Sequence, residues 1–307
     1  MVAPKTTWEL LRRYIEEGRG LGHGEQYRAF IQLRRWNASP VSFQTYGAVP
    51  PFKRATHHLC RSEWLLAVLF SWIGGHVREQ MPLWPWRHPE PIAGLDETRD
   101  RSLKWSSGTI ALCNEAGIKH GTFVGTTIPY IWTLDLVVTW AWLPRAECNC
   151  SLVSVKPLKS EQYGGDVDPL ARGPEKLEIE RRYAARLGLP YFVADSSRYQ
   201  GPLLGQLELY AKAADTPSDE GSNKAIRWIR DGGESTLRTE TPLDWRDRFM
   251  KDFALSIEQA DYLLQHVIWH QFVDVDMRRE LAMDRLVRPG GRALVLALRS
   301  DLQRVVK

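Results

Sequence analysis

The run Ile128–Trp142 alternates so strictly that a long β-strand is its natural conformation. Its even positions, Tyr130, Trp132, Leu134, Leu136, Val138, Trp140 and Trp142, are all apolar or aromatic. Its odd positions, Ile131, Thr133, Asp135, Val137, Thr139 and Ala141, are smaller and mixed. Successive strand side chains point to opposite faces, so a period of two is the mark of a strand. One face is expected to join a core and the other to carry Asp135. Such a strand needs neighbours, and the flanking chain supplies them. Ser151–Val155 reads as a second strand, VREQMPL (77–83) as an extended segment and LPYFVAD (189–195) as a short buried strand.

Helical patterns alternate with these strands. Residues 7–17 are amphipathic, and 108–116 form a short helix. Ser62 suits an N-cap, with Glu63 in the first turn facing the helix dipole and Gly74-Gly75 as the stop. The run Trp64–Trp72 is apolar nearly all round, which predicts a buried helix. Residues 174–188 form another, with Pro174 near its start and Gly188 at its end. The fold class is therefore α/β with a mixed sheet. Beyond residue 198 the composition shifts. Polar stretches at 214–223 and 231–236 precede helices starting at Thr241-Pro242 and at the capping box Ser256–Gln259. A third helix over 274–286 and a strand at ALVLAL (293–298) complete the expectation of a small, winged-helix-like module.

Charge points to a partner. Of 307 residues 25% are charged and 43% hydrophobic, which excludes a disordered or fibrous chain. The net charge of +4 is concentrated at one end, because residues 1–60 hold nine Lys/Arg against four Glu. An acidic partner for that end follows, and Arg geometry suits phosphate. Arg12, Arg13, Arg19, Arg34 and Arg35 are the candidates, with His23 in the glycine-rich loop 18–24 and His57-His58 before the buried helix. That loop lacks the GK[ST] of a phosphate-binding loop and is expected to lie close to another part of the backbone. No apolar run is long enough to span a membrane and no apolar leader is evident, so a cytoplasmic protein without a membrane partner is expected. Four cysteines with a single CxC pair do not make a zinc framework. His266 and His270 lie four apart on a helix, but HVIWH lacks the glutamate of a zinc protease motif.

The chemistry is carried by Asp135 and Lys156. A carboxylate inside an apolar strand is costly unless it is paired or metal-bound. If residues 143–150 close a hairpin, Val137 faces Lys156 and Asp135 lies one diagonal step away, about 7–8 Å between Cα atoms. That gap would hold a hydrated cation. An aspartate followed about twenty residues later by Ser154-Val155-Lys156 on the next strand approximates the Asp…(Asp/Glu)-x-Lys pattern of restriction-endonuclease-like nucleases. Phosphodiester hydrolysis uses a divalent cation to polarise phosphate and activate water, and carboxylate oxygens suit Mg²⁺. A lysine nearby offsets charge developing on the phosphate. Glu63 is the candidate second acid.

Seven blocks, EGRGLGHGEQY (17–27), HHLCRSEWLLAVLFSW (57–72), VREQMPL (77–83), AGIKHG (116–121), TLDLVV (133–138), VSVKP (153–157) and EKLEIERRY (175–183), resemble the TnsA family in order and spacing. The resemblance spans about residues 10–198. It implies a restriction-endonuclease-like catalytic domain over 1–198, a partner-binding helical domain over 199–307, and Mg²⁺ (with Mn²⁺ as a substitute) as cofactor. It implies an endonuclease subunit that cuts the 5′ strands at transposon ends, beside a TnsB-type transposase and a TnsC-type ATPase. Within it, Glu63, Asp135 and Lys156 map to the catalytic positions. The Val155 carbonyl becomes a further metal ligand, and Ser154, Glu79 and Gln80 supporting residues. Ser154 stands where the family often has Gln. A stand-alone nuclease of this fold and a catalytically idle scaffold subunit are the alternative readings.

Overall fold

The computed structural model describes residues 6–33, 44–95, 100–142, 150–156, 173–199 and 201–306. The chain divides into two compact units. One comprises 1–67, 74–197 and 305–307, the other 68–73 and 198–304.

The first unit opens with helix α1 (Trp8–Glu16), capped by Thr7, whose hydroxyl accepts the Leu10 N–H at 3.1 Å. A short antiparallel pair, β1 (Thr45–Ala48) and β2 (Ala55–His58), precedes helix α2 (Arg61–Trp72). Strand β3 (Gly75–Leu83), the small pair β4 (His88–Pro89) and β5 (Trp105–Ser106), and helix α3 (Thr109–Ala116) follow. Then come β6 (Trp132–Trp140), β7 (Cys150–Val155), helix α4 (Gly173–Leu187) and β8 (Tyr191–Ala194).

The main sheet has the order β3-β6-β7-β8. The first two pairings are antiparallel, and β7–β8 is parallel. A parallel pair needs a crossover, and α4 supplies it. The sheet is therefore mixed, as the alternation of elements predicts. Helix α4 lays Ile179, Tyr183, Ala184 and Leu187 into a core shared with Leu134, Val137 and Leu152.

Three local expectations are corrected. All nine residues of β6 are buried, so the strand is covered on both faces rather than one. It is a central strand, flanked by β3 and β7. Helix α2 begins at Arg61, so Ser62 lies inside its first turn instead of capping it. The hydroxyl of Ser62 accepts one from Ser196 at 2.9 Å. The hairpin register also differs. Leu136 pairs with Val153 and Val137 with Leu152, where the sequence placed Val137 opposite Lys156. The strands end at Trp140 and resume at Cys150, so the connection is longer than a loop beginning at 143 allows.

The second unit is helical. Its helices are α5 (Leu203–Tyr210), α6 (Glu220–Trp228), α7 (Glu234–Leu237), α8 (Pro242–Phe253), α9 (Ile257–Trp269) and α10 (Gly291–Val306). Thr241 and Ser256 both close capping boxes, which fixes the starts of α8 and α9. Two elements of the winged-helix expectation do not form. Residues 274–286 are turns. Asp276 bonds the Arg278 N–H, and the Asp276 N–H bonds the Arg288 carbonyl, so local side-chain bonds displace the helix. ALVLAL lies in α10, not in a strand. Leu294, Val295, Leu298, Arg299 and Leu302 are its half-buried positions, a helical spacing that six residues alone did not reveal.

Candidate active site

The register brings the site together across three strands. Carried one pair beyond Leu136↔Val153, it sets Asp135 opposite Ser154. On the other side, Gln80 falls opposite Asp135, between the pairs Glu79↔Leu136 and Met81↔Leu134. Gln80 has φ +50°, a conformation that non-glycine residues seldom adopt and that interrupts the ladder there. Its side chain donates to Glu63 Oε2 at 3.0 Å and accepts from Thr133 Oγ1 at 2.9 Å. A buried β3 residue thus anchors an acid carried on α2.

Asp135 is 4% exposed and heavily solvated by protein groups. Its Oδ2 accepts the Val155 N–H at 2.7 Å and the Lys156 ammonium at 2.8 Å. Its Oδ1 receives Lys176 Nζ at 3.2 Å. Burial opposes its ionisation, but Lys176, Lys156 and the Val155 N–H outweigh that and hold the carboxyl below its ordinary range. Glu63 is 5% exposed and also accepts the Leu59 N–H at 2.9 Å. Burial and the charge of Asp135 push its pKa up to about 7. The Asp135 charge is felt at Glu63, where Lys156 and Lys176 offset it in part.

Lys156 is one-third exposed, which gives the cluster an outlet to solvent. Its ammonium also donates to the Val155 carbonyl at 2.9 Å. Val155 therefore meets Asp135 through its N–H, while its carbonyl is engaged by Lys156. Ser154 is fully buried and is bonded to Glu180 and, at 3.1 Å, to the Tyr191 hydroxyl.

Two residues of this cluster were not singled out from sequence. Lys176, on α4, forms ion pairs at 3.2 Å with both Asp135 and Glu180. Glu180 is fully buried and pairs with neither of the arginines that follow it, Arg181 and Arg182. Those arginines instead hold Glu178. Burial raises the Glu180 pKa, with Lys176 partly offsetting it. Among the described residues, no group of three or more His, Cys, Asp or Glu side chains is close enough to form a metal cage. The possible donor set is smaller: two carboxylates, Glu63 and Asp135, surrounded by ammonium groups.

The remaining candidates divide. Glu79 is fully buried in a two-bonded pair with Arg54, at 2.9 and 2.8 Å, and also accepts the His57 N–H. It holds β2 to β3 and does not reach Asp135 or Lys156. His57 accepts the Leu33 N–H on Nδ1 at 3.1 Å and packs against Tyr46. His58 is corrected as a DNA contact. It is fully buried against Trp64 and bonded to Thr56, with a pKa pushed down to about 3 by burial and the Arg54 charge. Arg19 is corrected likewise. It is 4% exposed, its guanidinium lies 3.5 Å from the Tyr14 ring centre, and it bonds Glu17 and the Phe30 carbonyl. His23 bonds the Ala93 carbonyl at 2.8 Å. Arg12 and Arg13 are exposed on α1, and Arg13 reaches Glu17 at 3.7 Å. Arg34 and Arg35 lie outside the described residues. In the second unit, His266 and His270 bond the carbonyls of Ala213 and Ala214, which accounts for both rings without a metal.

No protein-family model matches the chain. It is 29% identical over 192 residues to the transposon Tn7 transposition protein TnsA of Escherichia coli. Over that stretch the chain is similar to TnsA. The match covers 60% of it and 55% of that relative, so the chain spans about half the length of the curated protein it matches. A TnsA-like chain is expected to have a restriction-endonuclease-like α/β unit, and the mixed sheet with Asp135 on its central strand agrees with that. No helix among the described residues is long and apolar enough to cross a membrane.

Proposed function

We propose that this TnsA-like chain is the DNA endonuclease subunit of a heteromeric transposase, cutting the 5′ strands at transposon ends in a Mg²⁺-dependent reaction. The contact that supports this most directly is the Asp135–Lys156 pair at 2.8 Å, with Glu63 held close enough by Gln80 for the two acids to raise each other's cost of ionisation.

The residues fit a divalent cation. Two buried carboxylates repel one another, and burial together with the Asp135 charge raises the pKa of Glu63 to about 7. Glu63 and Asp135 would hold the ion. Bound there, Mg²⁺ would polarise the scissile phosphate and lower the pKa of its water. The chain's own groups do the rest. Val155 N–H and Lys156 orient Asp135. Gln80 and the Leu59 N–H orient Glu63. Lys156, partly open to solvent, is placed to align the attacking water and to balance charge developing on the phosphate. Exposed Arg12 and Arg13 supply contacts to the phosphate backbone of double-stranded DNA. A TnsB-type transposase and a TnsC-type ATPase are the expected partners, with the helical unit as their docking region.

Reconstituted transposition with strand-resolved product analysis tests the reading. Asp135→Ala and Lys156→Ala are each expected to lower 5′-strand cutting by about 100-fold or more, with 3′-strand joining and complex assembly intact. Persistent 5′ cutting in both variants would rule the assignment out.

A further inference from the structure

Lys176 and its partner Glu180 belong to this cluster, and the proposed chemistry uses neither. The Lys176 ammonium lies 3.2 Å from Asp135 Oδ1 and 3.2 Å from Glu180 Oε1, and its side chain is only 23% exposed. Glu180 Oε1 is itself buried and has no hydrogen bond, so this ion pair is its compensation. Lys156 takes Asp135 Oδ2. Both oxygens of the acid best placed to ligate a cation are therefore occupied by ammonium groups. The two lysines differ in setting. Lys156 follows the rigid strand β7 and is tied to the neighbouring Val155 carbonyl. Lys176 stands in the first turn of α4 and has a second carboxylate partner, Glu180, which it can keep on leaving Asp135.

We infer that Lys176 is a built-in place-holder for the catalytic cation: its ammonium neutralises Asp135 and Glu180 in the metal-free protein and must leave Asp135 Oδ1 when the metal binds. The inference rests on the metal-dependent reading above. Glu63, Asp135 and Glu180 are nearly or fully buried, and the charge of Asp135 raises the cost of ionising each of the two glutamates. The Lys176 ammonium relieves the repulsion between Asp135 and Glu180 at the expense of competing with the metal. Lys176 is thus a positioning residue that sets the threshold for metal loading.

The test is Mn²⁺ binding to the full chain without DNA, followed by calorimetry and by the paramagnetic resonance signal of free Mn²⁺. Lys176→Met keeps most of the stem and removes the charge. It is expected to bind Mn²⁺ at least about tenfold more tightly than the unmodified chain, because the competitor is gone. Before metal is added its thermal unfolding temperature should fall, and saturating Mn²⁺ should raise it by more than in the unmodified chain. Lys176→Arg keeps a cation and should retain weak Mn²⁺ binding, and it serves if the Met variant does not fold. Equal or weaker Mn²⁺ binding by Lys176→Met, or tightened binding by Lys176→Arg, would overturn the place-holder role alone. Absence of Mn²⁺ binding in all three proteins would overturn the metal-dependent reading with it.

Discussion

Replacing Glu63 with Gln should make the metal-free protein more stable at alkaline pH, a sign opposite to that of most buried substitutions. Glu63 is nearly buried, and its pKa rises from 4.5 to about 7 through burial and the nearby Asp135 charge. Below 4.5 the group is neutral in both folded and unfolded chains, and its protonation favours neither. Between 4.5 and about 7 the unfolded chain releases the proton while the folded chain keeps it, so stability falls as pH rises. Above about 7 the full penalty is present, about 3 kcal/mol from a change of this size. The Gln side chain keeps an oxygen to accept the Leu59 N–H and the Gln80 amide, and it carries no charge at any pH. Urea unfolding in chelator from pH 5 to pH 8.5 measures the effect. The unmodified chain should lose up to about 3 kcal/mol across that range relative to Glu63→Gln. Saturating Mg²⁺ should restore most of that loss in the unmodified chain and little in the variant. Parallel pH profiles for the two proteins in chelator would refute the electrostatic account of the site.

Three further outcomes follow from the same packing. Arg54→Ala leaves the fully buried Glu79 carboxylate unpaired and should cost about 3–5 kcal/mol in chemical denaturation. Gly20→Ala should destabilise by at least about 1–3 kcal/mol, since Gly20 has φ +81° and a Cβ there would stand 2.3 Å from Pro82 Cγ on β3; a lowered unfolding temperature is the readout. Ser256→Ala removes the hydroxyl half of the α9 capping box and should cost about 1 kcal/mol, measurable as a small shift in the urea midpoint.

The central strand was legible because period-two alternation survives in any context, and the parity that exposed it also isolated Asp135. Lys156 was legible because Ser154-Val155-Lys156 follows Asp135 by about twenty residues at the end of the next strand. The register was not, since it depends on where β6 stops and β7 resumes. The structure sets Asp135 opposite Ser154, so Lys156 is one diagonal step from it on the opposite side to that expected, and the lysine stem closes the gap to 2.8 Å. Glu180 and Lys176 were hidden by a different ambiguity. A lysine four residues before a glutamate on a polar helix resembles an ordinary solvent pair. Here the β7–α4–β8 crossover turns that pair inward, and only the helix phase set by Ile179 and Tyr183 records it. Arg19 and His58 were read as phosphate contacts from composition. The rings that cover them, Tyr14 for Arg19 and Trp64 for His58, are close in sequence, but their approach depends on how the chain turns beside α1 and α2, which charge alone does not record.

These observations connect the shape of the sheet to its chemistry. Gln80, Asp135 and Ser154 occupy one row across β3, β6 and β7, and each is tied to a group brought by a helix: Glu63 from α2, Lys176 from α4, Glu180 from α4. A row on three hydrogen-bonded strands moves little, so the helices deliver charge to a fixed line. Two ammonium groups face three carboxylates there, leaving one negative charge when all are ionised. Because the Glu63 pKa is raised to about 7, a proton meets that deficit near neutrality, and on the proposed reading a divalent cation would meet it instead. On the proposed metal-dependent reading, such a site folds with a proton in place of the cation and gains free energy when the cation replaces it.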